Sequence, residues 1–201
     1  MDHMSRRSRY LLLALLLAAT PVAIAAPAHK KPSEARIWYS ANDYPRLALP
    51  DGRSEAVRSV LNITKPMRFG DFVWNEDRIP KGPVWVRVDL ARQLLSVFRS
   101  GHEIGSAVIL YGAESKSTPS GAFTILEKKQ HYYSRTYDAP MPYMLRLTSD
   151  GVAIHGSNVR EGWATHGCIG VPLDFARLIF DAAKKGDPVV IVPAQPVPKK
   201  A

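Results

Sequence analysis

Between Val84 and Tyr111 three short runs of alternating residues follow one another with only turn residues between them. Val84, Val86, Val88 and Leu90 fall on one side of an extended chain, and Trp85, Arg87 and Asp89 on the other. A period of two is a strand signal, because successive side chains of an extended backbone point to opposite faces. Ala91-Arg92 and Ser100-Gly101-His102 leave room only for tight turns. Residues 84–90, 93–99 and 103–111 therefore read as an antiparallel meander. Further strands are expected at 121–127, 143–147, 152–154 and 189–192, the sixth entered through the Ser149-Asp150-Gly151 turn.

Helical period stands out once in this part of the chain. Leu173, Ala176, Arg177, Phe180 and Ala183 recur at spacings of three and four, with Pro172 and Asp174 at the start and Gly186 at the end. The fold class is mainly β, a sandwich with one principal α-helix over 173–185. A short irregular N-terminal extension precedes it, broken by Pro32, Pro45, Pro50, Pro66, Pro80 and Pro83. Within the extension, 54–61 reads as a helix capped by Ser54, with Ala56, Val57, Val60 and Leu61 on its apolar side, and 75–83 reads as a linker.

The first residues read as an address. Arg6, Arg7 and Arg9 form a basic region, ten apolar residues run from Tyr10 to Ala19, and Ala23-Ile24-Ala25 supplies a cleavage site. A bilayer span needs about 20 apolar residues, so a cleaved signal is expected, with no stable membrane span after cleavage. Ser5-Arg6-Arg7 fits a twin-arginine signal weakly, and Sec export stays open beside it. The plan is then a signal peptide over 1–25, an extension and linker over 26–83, a catalytic domain over 84–193 and a tail over 194–201. The formal charge of +9 falls to +7 when three Arg and Asp2 leave with the signal. Excess positive charge attracts polyanions. In the periplasm or elsewhere in the extracytoplasmic envelope, an anionic wall polymer or lipid surface fits better than nucleic acid, which is not expected as a partner.

Cys168 is the one cysteine in 201 residues. Exported proteins usually pair their cysteines, so an unpaired thiol there is either packed away or has chemistry to perform. Its surroundings are Ile154-His155-Gly156-Ser157-Asn158 and Thr165-His166-Gly167-Cys168-Ile169-Gly170. His155 would stand at the end of an apolar strand, and the glycine-containing loop between can bring Cys168 back beside it. A thiol with a pKa of about 8.5 is only a few per cent ionised at neutral pH, and an imidazole base remedies that. The carbonyl of Gly156 is placed to accept the Nδ1 proton and fix the tautomer. Gly167 removes bulk before the thiol and lets backbone N–H groups face a developing oxyanion. Two other readings stay open on spacing alone. His155, His166 and Cys168 are zinc-ligand types, with Glu161 the nearest carboxylate, and a lone cysteine can be an inert core residue.

His155-Gly156 followed by Thr165-His166-Gly167-Cys168 resembles the signature of the YkuD-type L,D-transpeptidases. The resemblance extends to Ser117-Thr118-Pro119-Ser120-Gly121, Met141-Pro142-Tyr143 and Gly186-Asp187-Pro188-Val189, over about 84–192. It implies a YkuD-like β-sandwich and no cofactor or metal. It also implies a cysteine acyltransferase that cuts a peptidoglycan tetrapeptide stem after its third residue, diaminopimelate, and releases D-alanine. The acyl group then passes to an amine of another stem, to a protein such as an envelope lipoprotein, or to water. Cys168 would be the nucleophile, His155 the base and acid, Gly156 its orienter, and the N–H groups of Gly167 and Cys168 the oxyanion hole. His166, Tyr143, Tyr137, Ser157 and Asn158 are the expected substrate contacts, with 128–142 as a lid. Alternatives of the same implied fold are an L,D-carboxypeptidase and a non-catalytic murein-binding domain. Many relatives carry Arg or Asn two residues after the cysteine, whereas this chain has Gly170, with Arg160 and Arg146 the cations available instead.

Overall fold

The structure, a computed structural model, describes residues 35–48, 52, 54–113 and 116–193; the signal peptide and the tail read from the sequence lie outside them. Five short strands come first: β1 Arg36–Trp38, β2 Arg46–Ala48, β3 Ser54–Ala56, β4 Ser59–Leu61 and β5 Phe72–Trp74. The meander follows as β6 Val84–Asp89, β7 Leu94–Arg99 and β8 His102–Val108. Ser100 and Gly101 close the second hairpin with φ of 50° and 82°, the paired left-handed geometry whose twist matches that of the strands.

Next come β9 Gly121–Thr124, β10 Glu127–Lys129, β11 Tyr133–Ser134, β12 Ala139–Pro140, β13 Met144–Arg146, β14 Ala153–Gly156 and β15 Ile169–Val171. The helix α1 Leu173–Ala182 and the strand β16 Pro188–Val192 complete the described chain. The larger sheet has the order β1-β4-β8-β7-β6-β16-β9, with β5 also on β8, and the second runs β10-β13-β14-β15. The expected strand over 121–127 is thus divided between two sheets.

The two sheets and the helix share one core. Val86, Val88, Leu95 and Ile104 meet Leu145, Ile154, Ile169 and Val171 across it, and Phe175 and Ile179 enter from α1. Burying each such side chain contributes about 1.5–3 kcal/mol. Phe175 packs against Phe72 and Trp74 at ring distances of 5.5 and 5.7 Å. Gly105 makes this possible, since a Cβ there would stand 2.3 Å from the Trp74 ring.

The outer face of the meander is covered too. Trp85 stacks on Phe98 at 4.2 Å and both bury against Val57 of the extension. The extension also delivers β1, β4 and β5 to the edge of the large sheet. A buried polar cluster holds this junction. Arg36 donates to the Ser59 hydroxyl at 3.1 Å and to the Glu103 and Asn75 carbonyls at 2.5 and 2.6 Å. Ser59 Oγ lies 2.9 Å from His102 Nδ1, and a Glu103 carboxylate oxygen accepts the Leu61 N–H at 2.9 Å. Burial, then Arg36 and Arg58, push the His102 pKa down, and burial pushes that of Glu103 up.

The helix read over 54–61 is corrected: the segment forms β3 and β4. β3 pairs with β2, whereas β4 pairs with β1 and β8. Val57 joins the Trp85–Phe98 cluster, so the apolar residues serve separate contacts rather than one helical stripe.

Candidate active site

β14 and β15 run parallel, with Ile154 opposite Ile169 and His155 opposite Gly170. In-register neighbours share a face, and alternate residues return to it. Ile154 and Ile169 point into the core and are fully buried. His155 therefore points the other way, and Cys168, two residues before Gly170, belongs to that same outward side. The thiol nests beside Met141, Met144 and Ala153 and is 7% exposed.

The imidazole is fixed as the sequence led one to expect. Nδ1 of His155 lies 2.9 Å from the Gly156 carbonyl, which accepts only if Nδ1 carries the proton. Nε2 is then the basic nitrogen. Burial lowers the His155 pKa, against the opposite pull of that carbonyl, so the ring is neutral at neutral pH. Burial raises the Cys168 pKa; the Ala153 N–H and Lys116 pull it back, and Asp150 adds to the rise. The thiol rests protonated, with Sγ 3.7 Å from the Gly151 carbonyl. Burial thus works against the charged form of both groups, the imidazolium and the thiolate.

A hydroxyl locks the turn before the thiol. Thr118 Oγ1 accepts the Gly112 N–H at 2.9 Å and donates to the Gly167 carbonyl at 3.0 Å. In a trans peptide the carbonyl and the next N–H point in opposite directions, so holding the Gly167 oxygen sets the direction of the Cys168 N–H. Gly167 has φ of 101°, a conformation that glycine adopts without strain. Gly112 packs so closely on it that a Cβ would lie 2.8 Å from the Gly167 nitrogen and 2.1 Å from the Lys116 carbonyl. The Thr165 hydroxyl holds the Cys168 carbonyl from the other side.

Two sides flank this centre. A cleft of about 730 Å³ is lined by Gly156, Ser157, Asn158, Pro142, Trp163 and Leu173 among others. Trp163 and Leu173 are more than half exposed there. Elsewhere on the loops, His166 stacks on Tyr137 at 5.1 Å, and the Lys116 ammonium bonds the Tyr137 hydroxyl. Of the expected contacts, Ser157 and Asn158 line the cleft, and His166 and Tyr137 meet each other. Tyr143 is not brought to the cleft, because its ring packs edge-on against Phe180 of α1 at 5.7 Å.

Gly170 has a structural reason. A Cβ there would stand 2.9 Å from Ser157 Cβ, and its backbone exchanges two 2.9 Å hydrogen bonds with Leu110. The cations considered in its stead are engaged elsewhere: Arg146 pairs with Glu127 at 3.0 Å, and Arg160 bonds Asn158 at 3.1 Å. Lys116 is the cation whose charge reaches the thiol. The sequence flagged Thr118 only as part of a turn motif, and nothing local pointed to Lys116. Among the described residues, no group of three or more His, Cys, Asp or Glu side chains is arranged to hold a metal ion.

Comparisons with known proteins agree with this architecture. The model of the YkuD family, the L,D-transpeptidase catalytic domain, matches residues 83–191. L,D-transpeptidase 1 of Mycobacterium tuberculosis is 30% identical over 120 residues, 51% of this chain and 48% of that protein. The chain therefore spans about half the length of the curated relatives it matches. An L,D-transpeptidase from Stackebrandtia nassauensis superposes with a TM-score of 0.53 at 25% identity, covering 60% of this chain and 61% of that one. The L,D-transpeptidase LdtMt1, solved in complex with imipenem, gives a TM-score of 0.50 at 26% identity over 54% of this chain and 58% of its own. With more than half of its residues matched, the chain belongs to the YkuD family of L,D-transpeptidase catalytic domains.

Proposed function

We propose that the protein is an exported L,D-transpeptidase acting on peptidoglycan stem peptides. The observation that carries the mechanism is the His155 tautomer: its Nδ1–H is spent on the Gly156 carbonyl, which leaves Nε2 basic on the same face of the sheet as Cys168. Family membership supports the substrate class.

In this mechanism Nε2 takes the thiol proton as Sγ attacks the carbonyl carbon of diaminopimelate, the third stem residue. The N–H groups of Gly167 and Cys168 receive the oxyanion, and one such donor is worth roughly 10²–10³ in rate. The carbon–nitrogen bond then breaks, His155 returns its proton to the departing amine of D-alanine, and a thioester remains. An amine of another stem, or of an envelope lipoprotein, attacks the thioester and gives its proton to His155. Collapse forms the new amide and regenerates the Cys168 thiol.

Burial, which disfavours the charge on both groups, supports transfer of the proton in step with attack rather than from a preformed ion pair. Lys116 and the Ala153 N–H favour the thiolate as it forms. The test is acylation by imipenem followed by intact-mass measurement, with stem-peptide turnover beside it. Wild type is expected to gain one adduct and to make cross-linked dimers. Cys168→Ala should gain none, and His155→Ala should lose roughly 10²–10⁴ in rate. Full turnover by folded Cys168→Ala would sink the mechanism, and products made only of trimmed monomers would assign the acyl group to water.

A further inference from the structure

A second, larger cleft of about 1270 Å³ lies where the N-terminal extension meets the loop between β14 and β15. Residues 63–69 form one wall, and Val159, Arg160 and Glu161 contribute to the other. The first of these walls lies outside the segment that matches the family, 83–191. Four cations line the cleft, Lys65, Arg68, Arg92 and Arg160, against one acid, Glu161. Arg92 pairs at 2.8 Å with Asp89, a carboxylate it shares with Arg87, and Arg160 is held by the uncharged Asn158. Lys65 and Arg68 are exposed and form no ion pair with any described residue. Ile63, Met67, Leu94 and Val108 give the cleft apolar wall between the charges. Val159 lines this cleft and the cleft beside His155 alike, and the extension reaches the same point through Gly70.

We propose that this cleft binds a carboxylate-bearing stretch of a peptidoglycan stem peptide, and that the extension thereby adds a substrate subsite to the catalytic domain. The proposal rests on the stem-peptide function given above. Stem peptides carry ionised carboxylates separated by methyl and methylene groups, and the alternation of cations with apolar wall matches that pattern. A polyphosphate chain would make no use of the apolar part. Val159 is common to the walls of this cleft and of the one lined by Gly156 and Ser157, so the two lie next to each other on the segment that follows His155. Residues 62–70, which carry Lys65 and Arg68 on an irregular stretch, acquire under this proposal a role that their poor patterning did not suggest.

The test uses the full chain with Lys65→Gln and Arg68→Gln combined, both exposed, so the fold is expected to hold. Each exposed ion pair is worth up to about fivefold, so KM for a stem tetrapeptide should rise on the order of tenfold with kcat unchanged. Raising salt should weaken wild-type binding and narrow the difference, because the attraction is screened. Imipenem acylation, which reads Cys168 and His155 alone, should match wild type. An unchanged KM in the double variant overturns the subsite while leaving the proposed function standing. A loss that persists undiminished in high salt overturns its electrostatic basis. Wild-type protein that is acylated by imipenem but turns over no stem peptide overturns the proposed function, and the subsite with it.

Discussion

The two flanks of Cys168 are built differently. On one side, β14, β15 and the Thr118 hydroxyl fix His155 and the turn before Cys168 through backbone partners that are buried and closely spaced. On the other, Lys116, Tyr137 and His166 hold one another through side chains that are exposed or half-buried. The first arrangement tolerates almost no displacement, because each atom is determined from more than one direction. The second can rearrange at small cost, as contacts between solvated side chains are weak. The proposed function puts reaction chemistry on the first and adaptable contact on the second. Such a division would suit the proposed reaction, in which one centre stabilises a transition state and admits two successive peptides.

Breaking the rigid side should have the largest effect. Thr118→Val keeps the shape but strands the Gly112 N–H and the Gly167 carbonyl. Each buried group left unpaired costs about 1–3 kcal/mol, and the Cys168 N–H loses its fixed direction. A fall in kcat on the order of 10–100-fold is expected, within the worth of one oxyanion donor, with a lower Tm by calorimetry. Thr118→Ser should restore much of both. Activity of Thr118→Val equal to wild type would show that the clip is only structural.

Gly170→Asn follows. Its Cβ would press on Ser157, and overpacking of this kind costs about 1–3 kcal/mol. Denaturant melts should show the loss, and Ser157→Gly in the same chain should recover part of it. Lys116→Met probes the adaptable side. Because Lys116 pulls the Cys168 pKa down, its loss should move the alkaline limb of imipenem acylation to higher pH while leaving the melting temperature unchanged. The smallest effect is expected from the junction of extension and sheet. His102 has a folded pKa below its unfolded value, so the unfolded chain binds the extra proton. The stability associated with its neutral form is present above the unfolded pKa and is lost as pH falls through that value towards the folded one. Glu103, shifted up, works in the opposite sense: its contribution is full below its unfolded pKa and is lost as pH rises through the folded one. His102→Gln should flatten the acid side of a Tm–pH curve, and an unchanged curve would remove His102 from this account.

Much of this could be read from residues alone wherever neighbours in sequence are neighbours in function. The meander announced itself because its strands are long enough to show alternation and its turns are short. His155, Gly156 and Cys168 were legible because the carbonyl that orients the ring belongs to the next residue. The extension was opaque for the opposite reason. β4 is three residues long, and its pattern has meaning only once β1 and β8 lie beside it. Val57 and Leu61 mimic a helical spacing while serving different partners. Thr118 and Gly167 are 49 positions apart, so no local pattern could announce their bond. The turn of Tyr143 towards α1 likewise depends on Phe180, which no local spacing indicates.

The burial that disfavours the Cys168 thiolate has a consequence beyond the proposed reaction. Thiolates, not thiols, react readily with peroxide and with disulfides. Under the proposed mechanism, a sulfur that gives up its proton only as a substrate carbonyl arrives would offer little to an oxidant met between turnovers. Slower capture of small electrophiles is the expected cost, and longer survival of the one cysteine in the sequence is the expected gain.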